Sequence, residues 1–266
     1  MKSQKITFKN REDLELSARI EYPVNQQPVA YAIFAHCFTC GKDLTAIKYI
    51  SKSLTDQGIA VLRFDFTGLN QSEGDFSSTT FTTNIEDLID AAAFMKNEYG
   101  AVSLLIGHSL GGAAAIYAAN ELKSVKAVAT IGAPSSPSHL KNLFKGDISD
   151  IKEKGSTEVN IGGRDFTISE SFVNSLHKKD IKHVVRDFKR ALLIIHSPQD
   201  RIVGIENARD LFEVAMHPKS FVSIDGADHL LSKKQDAAYT GQVIGSWAFR
   251  YLKLEEKKRH STPKNR

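Results

Sequence analysis

Residues 104–112 read LLIGHSLGG, a run of aliphatic side chains that stops at Gly107-His108-Ser109-Leu110-Gly111-Gly112. The segment VSLLIGH (102–108) is a near-continuous apolar run of strand length, and the Ala-rich stretch from Leu110 to Leu122 has the length and composition of a helix. A serine between two glycines at such a junction has two readings. It can cap the helix through its hydroxyl, or it can stand on a turn so tight that its neighbours must be tiny, which thrusts the hydroxyl outward as a nucleophile. The strand before and the helix after favour the second reading, with Gly107, Ser109 and Gly111 completing G-x-S-x-G.

Outward from this junction the chain alternates short β-rich runs with longer helical patterns, the signature of a largely parallel sheet covered by helices on both faces. The predicted strands are QKITFK, LELSARIEY, VAYAIFAH, IAVLRFDF, VSLLIGH, VKAVATIG, ALLIIHS and KSFVSID. The first two flank NRED (10–13), a turn suited to an antiparallel hairpin, whereas the later ones are continuous apolar runs, as burial on both faces requires. Helices are expected over Leu44–Gln57, Thr83–Glu98, Leu110–Leu122, Ile205–Met216 and Ala237–Leu252. In the second, Ile85, Leu88, Ile89, Ala92 and Met95 recur at helical spacing and form a core-facing stripe.

A nucleophilic serine needs a base to take its proton and an acid to orient that base. After ALLIIHS comes SPQDRIVG, which puts Asp200 in the loop at a strand's C-terminal end; after KSFVSID comes GADHLLS, which puts His229 in the next such loop. The order Ser109, Asp200, His229 on successive C-terminal edges is what a strand–elbow–helix nucleophile on a parallel sheet requires. Among the rivals, His217 precedes a proline at a helix end and His260 lies in a charged tail, while Asp225 and Asp228 are too near His229 along the chain to orient its ring. The oxyanion that forms on attack needs N–H donors. Leu110, which follows the nucleophile, supplies one; the loop after VAYAIFAH supplies the second, assigned to Phe38.

Together FAHCFTCGKD, RFDFTGLNQSEGDF, LLIGHSLGG, HSPQDRIVG and DGADHLLS resemble the α/β-hydrolase superfamily over nearly its whole length. More narrowly they look like the α/β-hydrolase domain that in many bacteria is fused to an OsmC-like peroxide-reducing domain. The resemblance implies an α/β-hydrolase fold, a mostly parallel eight-stranded sheet with helices on both faces, and a serine hydrolase or acyltransferase with Ser109, Asp200 and His229 as its triad. It also implies that an OsmC-like partner would act in trans, since this chain ends about where that domain would begin. Two departures stand out: Cys37 occupies the usual glycine of a His-Gly pair, and Asn70 replaces a turn glycine, a substitution that asparagine's tolerance of left-handed backbone permits.

The resulting domain expectation is a hydrolase domain over 1–254 and a charged tail over 255–266. From Ser135 to Arg190 the alternation breaks, with helical pieces around TEVNIGGRDFTIS, where Gly162-Gly163 reads as a hairpin turn. An insertion of this length is a cap over the site or an elaborated edge, and the cap is favoured. The two cysteines form HCFTC, where Cys37 and Cys40, with His36, can be read as a redox pair, as an incomplete metal site or as simple loop packing. No metal and no cofactor is expected, and packing is the plainest reading. A Cys37–Cys40 bridge would constrain the loop and could misplace the Phe38 donor, and His36, Cys37, Cys40 and His108 enter as candidate pocket or redox-sensitive residues.

The 266 residues, 41% hydrophobic and 25% charged, suit one sizeable α/β core, and the net charge of +4 gathers in the tail, which argues against nucleic acid as a partner. No apolar run of membrane length and no leader-like N-terminus appears, so a cytoplasmic protein with no membrane partner is expected. The function expected is hydrolysis of an ester or thioester of a small-molecule acyl substrate through an acyl-enzyme. Its alternatives are acyl transfer or perhydrolysis by the same three residues, or a non-catalytic binding role on this fold.

Overall fold

The computed structural model describes residues 1–24, 26–37, 39–136, 151, 154–161, 164–177 and 180–252. Strands β1 (Lys2–Lys9), β2 (Glu15–Tyr22), β3 (Ala30–Ala35), β4 (Ile59–Phe64), β5 (Val102–His108) and β6 (Ala127–Ile131) precede the insertion, which contributes β7 (Ser156–Ile161) and β8 (Arg164–Ser169). Then follow β9 (Ala191–His196) and β10 (Lys219–Ser223). Eight of these form one sheet in the order β1-β2-β4-β3-β5-β6-β9-β10. The β1–β2 hairpin and the β2–β4 pair are antiparallel, and every later pair is parallel. All eight predicted strands are therefore present.

Helices α1 (Thr45–Asp56), α2 (Phe81–Glu98), α3 (Leu110–Glu121), α4 (Glu170–His177), α5 (Ile181–Arg186), α6 (Glu206–Val214) and α7 (Lys234–Ala248) cover the sheet. Successive strand residues point to opposite faces, and both faces are dry. On one, Leu62, Phe64, Leu105 and Leu192 pack with Leu88 of α2 and Ile116 of α3. On the other, Val61, Ile106, Leu193 and Ile195 pack with Ile50 and Leu54 of α1 and Ile244 of α7. Fully burying each such side chain contributes about 1.5–3 kcal/mol, which is why the strands read as unbroken apolar runs.

Two helices begin earlier than predicted, and polar residues are the reason. For α2, the Thr80 hydroxyl accepts from Thr83 N–H and the Thr83 hydroxyl accepts from Thr80 N–H, a reciprocal cap that starts the helix at Phe81. The first turn of α7, Lys234-Gln235-Asp236, carries no apolar periodicity and was invisible to it; the helix also stops at Ala248, short of Leu252.

The topology positions the site. From β3 the chain crosses through α1 to β4 on one side, and from β5 it crosses through α3 to β6 on the other. The loops leaving β3 and β5 therefore diverge, and the crevice between the C-terminal ends of these neighbouring strands is the natural place for a ligand. In the insertion, β7 and β8 pair antiparallel from Ser156↔Ser169 to Ile161↔Arg164. Their connecting Gly162-Gly163, residues 137–150 and the tail 255–266 lie outside the described residues. The hairpin and α4 dock on the sheet domain through Phe76, whose ring meets Phe166 at 5.5 Å and Phe172 at 6.2 Å. The Ser175 hydroxyl also accepts from Phe81 N–H at 2.9 Å. Among the described residues, no helix is long and apolar enough to cross a membrane.

Candidate active site

Ser109 stands at the end of β5 with φ 54° and ψ −125°, a conformation that costs a non-glycine residue about 1–3 kcal/mol. Its surroundings hold it there. Ser109 N–H donates to Ile131 C=O at 2.8 Å, and Ser109 C=O accepts from Gly112 N–H at 2.9 Å. The flanking glycines are needed for separate reasons: a side chain on Gly107 would strike the Gly111 backbone, and one on Gly111 would strike the carbonyls of Ala35 and His36. The elbow is thus wedged against the start of the loop that leaves β3.

Asp200 and His229 come together as the sequence predicts. His229 Nδ1–H donates to Asp200 Oδ2 at 2.7 Å, while Asp200 Oδ1 accepts from Ile202 and Val203 N–H at 2.9 Å each. Burial pushes the Asp200 carboxyl upward. The hydrogen bond and charge of His229 and the two backbone donors outweigh it, and hold the group below its ordinary value. An ionised Asp200 accepting this bond orients the His229 ring through Nδ1. Asp228 instead caps its own loop, accepting from Ser232 N–H at 2.8 Å.

Sequence reading missed Gly132, the residue after β6. Its φ is +56°, and a Cβ there would lie 3.2 Å from Asp200 Oδ2 and 3.3 Å from His229 Nδ1. A glycine closing the predicted strand VKAVATIG was the available signal. His108 also has a definite place. Its Nε2–H donates to the His229 carbonyl at 2.6 Å, with the two rings 4.9 Å apart. Burial, then the nearby His229, pull its pKa down to about 3, so it is a neutral strut between the elbow and the histidine loop. No hydrogen bond joins Ser109 Oγ to His229 among the described residues. The two are brought together through His108 and Gly132, and such contacts commonly tighten only when substrate is bound.

For the oxyanion donors, Leu110 is the first residue of α3, so its N–H has no partner within the helix and lies at the positive end of the helix dipole. Phe38 lies outside the described residues, but its loop is defined on both sides. His36 Nδ1–H donates to Cys37 C=O at 2.8 Å, Cys40 N–H donates to the same carbonyl at 3.1 Å, and Thr39 has φ +58°. This turn brings the Cys37 and Cys40 Cα atoms to 5.3 Å, within bridging range, and the two sulfurs are bonded. The packing-only reading of HCFTC is thereby corrected: a bend over 37–40, which the sequence allowed without requiring, makes the pair a disulfide.

Beyond the turn, the loop is held from β4 by a buried ionic network. Asp65 accepts from Lys42 N–H at 2.7 Å and from Lys42 Nζ at 2.5 Å. Arg63 donates to Lys42 C=O, to Glu21 at 2.6 Å and to Asp43 at 3.0 Å. Asn70, in the left-handed region at φ 51° as anticipated, donates to Cys40 C=O at 2.7 Å.

Comparison with known proteins agrees with this geometry. A family profile described as Serine aminopeptidase, S33 matches residues 27–154. Monoglyceride lipase of Homo sapiens is 26% identical over 214 residues, 70% of this chain and 71% of the lipase. The esterase domain of a Rhodothermus marinus protein is 49% identical and superposes with a TM-score of 0.78, covering 95% of this chain and 100% of that one. The chain belongs to the α/β-hydrolase superfamily. Est1E from Butyrivibrio proteoclasticus, solved with ferulic acid, shares the fold at TM-score 0.76 and 19% identity over 93% of this chain and 99% of its own.

In this α/β hydrolase a cavity of about 10 Å³, room for about one water, lies beside the elbow. Phe66, Leu69, Phe76, Leu110 and Ala114 give it an apolar wall, and His36, Cys37 and Thr39 of the β3 loop form its other side. Among the described residues, the insertion meets this wall at Phe76, whose ring packs on Phe166 and Phe172.

Proposed function

We propose that this protein is a serine hydrolase that cleaves a carboxylic ester or thioester through an acyl-enzyme, with Ser109, Asp200 and His229 as its triad. The observation that carries the reading is the 2.7 Å Asp200–His229 pair set beside a serine on a strained, glycine-flanked elbow. His229 Nε2 takes the Ser109 proton as Oγ attacks the acyl carbon. The N–H groups of Leu110 and Phe38 stabilise the oxyanion, each donor contributing about 3 kcal/mol. His229 then passes its proton to the departing alcohol or thiol. A water deprotonated by the same imidazole attacks the acyl-enzyme, the carboxylic acid leaves, and Ser109 recovers its proton.

The 49% identity to the esterase domain of the Rhodothermus marinus protein supports an ester substrate, as does the weaker likeness to monoglyceride lipase. We assign residues 135–190 as the cap over the site. The test is labelling by a fluorophosphonate and turnover of p-nitrophenyl esters. Ser109→Ala should lose both, and Ser109→Ala with His229→Ala should be little worse than either alone, because the residues act as a unit. Labelling that persists on another residue of the Ala variant overturns the assignment.

A further inference from the structure

We propose that His196 is a positioning residue for the acid of the triad: its Nε2–H holds the turn over 200–203, so that Asp200 presents Oδ2 to His229. This rests on the serine-hydrolase reading and adds a fourth side chain to it. His196 is the last residue of β9, four positions before Asp200, and its side chain is fully enclosed. Its Nε2 lies 2.7 Å from Val203 C=O. A carbonyl can only accept, so the ring carries a proton on Nε2 and donates it there. The same nitrogen is 3.6 Å from Asp200 Oδ2, too far for a hydrogen bond. The ring therefore grips the turn rather than the carboxylate itself.

The turn needs that grip. Its tip, Arg201 and Ile202, is exposed, with Ile202 at 54%, so no packed side chain fixes it from above. What holds it are polar contacts. Asp200 Oδ1 accepts from Ile202 N–H and Val203 N–H, which leaves Oδ2 for His229 Nδ1–H. Val203 is thus held at both ends, its N–H by the acid and its C=O by His196. Without the second contact, the two donors that orient Asp200 are free to move with the exposed tip, and the carboxylate moves with them.

A buried histidine can be a core residue with all its hydrogen bonds made, but this one is not. Its Nδ1 is buried with no hydrogen-bond partner. An unpaired buried acceptor opposes folding, and an apolar side chain at this position would avoid it. The ring is explained by what its other nitrogen does. Nor is it a rival base. Nε2 is committed to Val203, Nδ1 is enclosed, and of the two imidazoles beside Asp200 only that of His229 reaches the surface. The two buried histidines thus hold different arms of the site: His108 ties the elbow to the His229 loop, and His196 ties the acid turn to β9.

Three variants test this by p-nitrophenyl acetate turnover and proton NMR, with thermal melting to confirm that each is folded. His196→Leu removes the donor and should lower kcat about tenfold to a hundredfold with KM nearly unchanged, the effect of a misplaced catalytic group. It should also shift or broaden the far-downfield resonance of His229 Nδ1–H, identified by its absence in His229→Ala. His196→Gln carries an amide N–H where Nε2–H stands and should restore both readouts. His196→Asn carries an amide that falls short of Val203 and should resemble the leucine variant; it replaces that variant if His196→Leu does not fold. A residue that only stabilises the fold would lower the melting temperature and leave kcat and the resonance of the folded protein in place. Wild-type kcat with an unmoved resonance in His196→Leu, a glutamine variant as slow as the leucine one, or glutamine and asparagine variants that behave alike overturn the proposal. Failure of the parent reading looks different: the wild-type protein turns over no ester and Ser109 is not labelled by a fluorophosphonate.

Discussion

Replacing Asp65 by asparagine tests whether the buried ionic network fixes the oxyanion loop or only stabilises the fold. Asp65 and Lys42 are both almost wholly buried, and the carboxylate takes the Lys42 backbone N–H through one oxygen and the ammonium through the other. Asparagine keeps an acceptor for the N–H but leaves the ammonium buried and unpaired, with only Gln71 Oε1, 3.1 Å away, as a neutral partner. Breaking a buried pair from one side costs about 3–5 kcal/mol. For a chain of this size that corresponds to a fall in melting temperature of roughly 10 °C.

Catalysis should suffer separately. Lys42 N–H and C=O and Cys40 C=O are all held from the β4 side, two to four residues beyond the proposed Phe38 donor. Complete loss of one oxyanion donor lowers kcat about 10²–10³-fold, so a loosened loop should lower kcat by about tenfold or more and leave KM nearly unchanged. The double variant Lys42→Met with Asp65→Leu separates the two effects. It removes both charges and should recover most of the melting temperature, yet it offers the Lys42 N–H no acceptor, so kcat should stay low. If kcat returns together with stability, or if Asp65→Asn turns over ester at the wild-type rate while folded, the loop is not positioned by this network.

Asp87 gives the protein a pH dependence of stability. Burial raises it to about 6 despite its bonds from Thr67 and Asn10, whereas the unfolded chain titrates near 3.8. Between those values the folded state binds the extra proton, so stability should fall as pH rises through that window, by about 3 kcal/mol at most. Melting curves of wild type and Asp87→Asn across pH 3.5–7 should diverge in that sense, and parallel curves would remove Asp87 as the cause. Reducing the Cys37–Cys40 bridge should cost about 2 kcal/mol of stability, the loop-closure entropy of so short a ring. It should slow turnover less than Asp65→Asn does, because Cys40 C=O remains on Asn70 and Cys37 C=O on His36. An equal or larger loss would make the bridge the anchor.

Much of this architecture was legible because it rests on local rules. Short apolar runs alternating with helical patterns marked all eight sheet strands, and Asp200 and His229, each read as following a late strand, lie 2.7 Å apart in the fold. What escaped were features that only tertiary contact creates. Nothing in HCFTC requires a bend, and the bend that joins the sulfurs depends on Thr39 adopting a left-handed backbone beside anchors some 30 residues away. Gly132 looks like any strand-ending glycine until Asp200 and His229 are folded against it from a distance of more than 60 residues.

Asn84 shows the same limit in its sharpest form. Along the chain it is one polar residue in a helix whose apolar stripe accounts for Ile85, Leu88 and Met95, and a polar residue off that stripe ordinarily faces water. The fold buries it because α2 is closed in by α3 and by the insertion resting on Phe76, so a position that is peripheral to the helix becomes internal to the domain. The elbow and the acid–histidine pair are set by the architecture, whereas the choice of substrate has to be sought in the side chains that line the site.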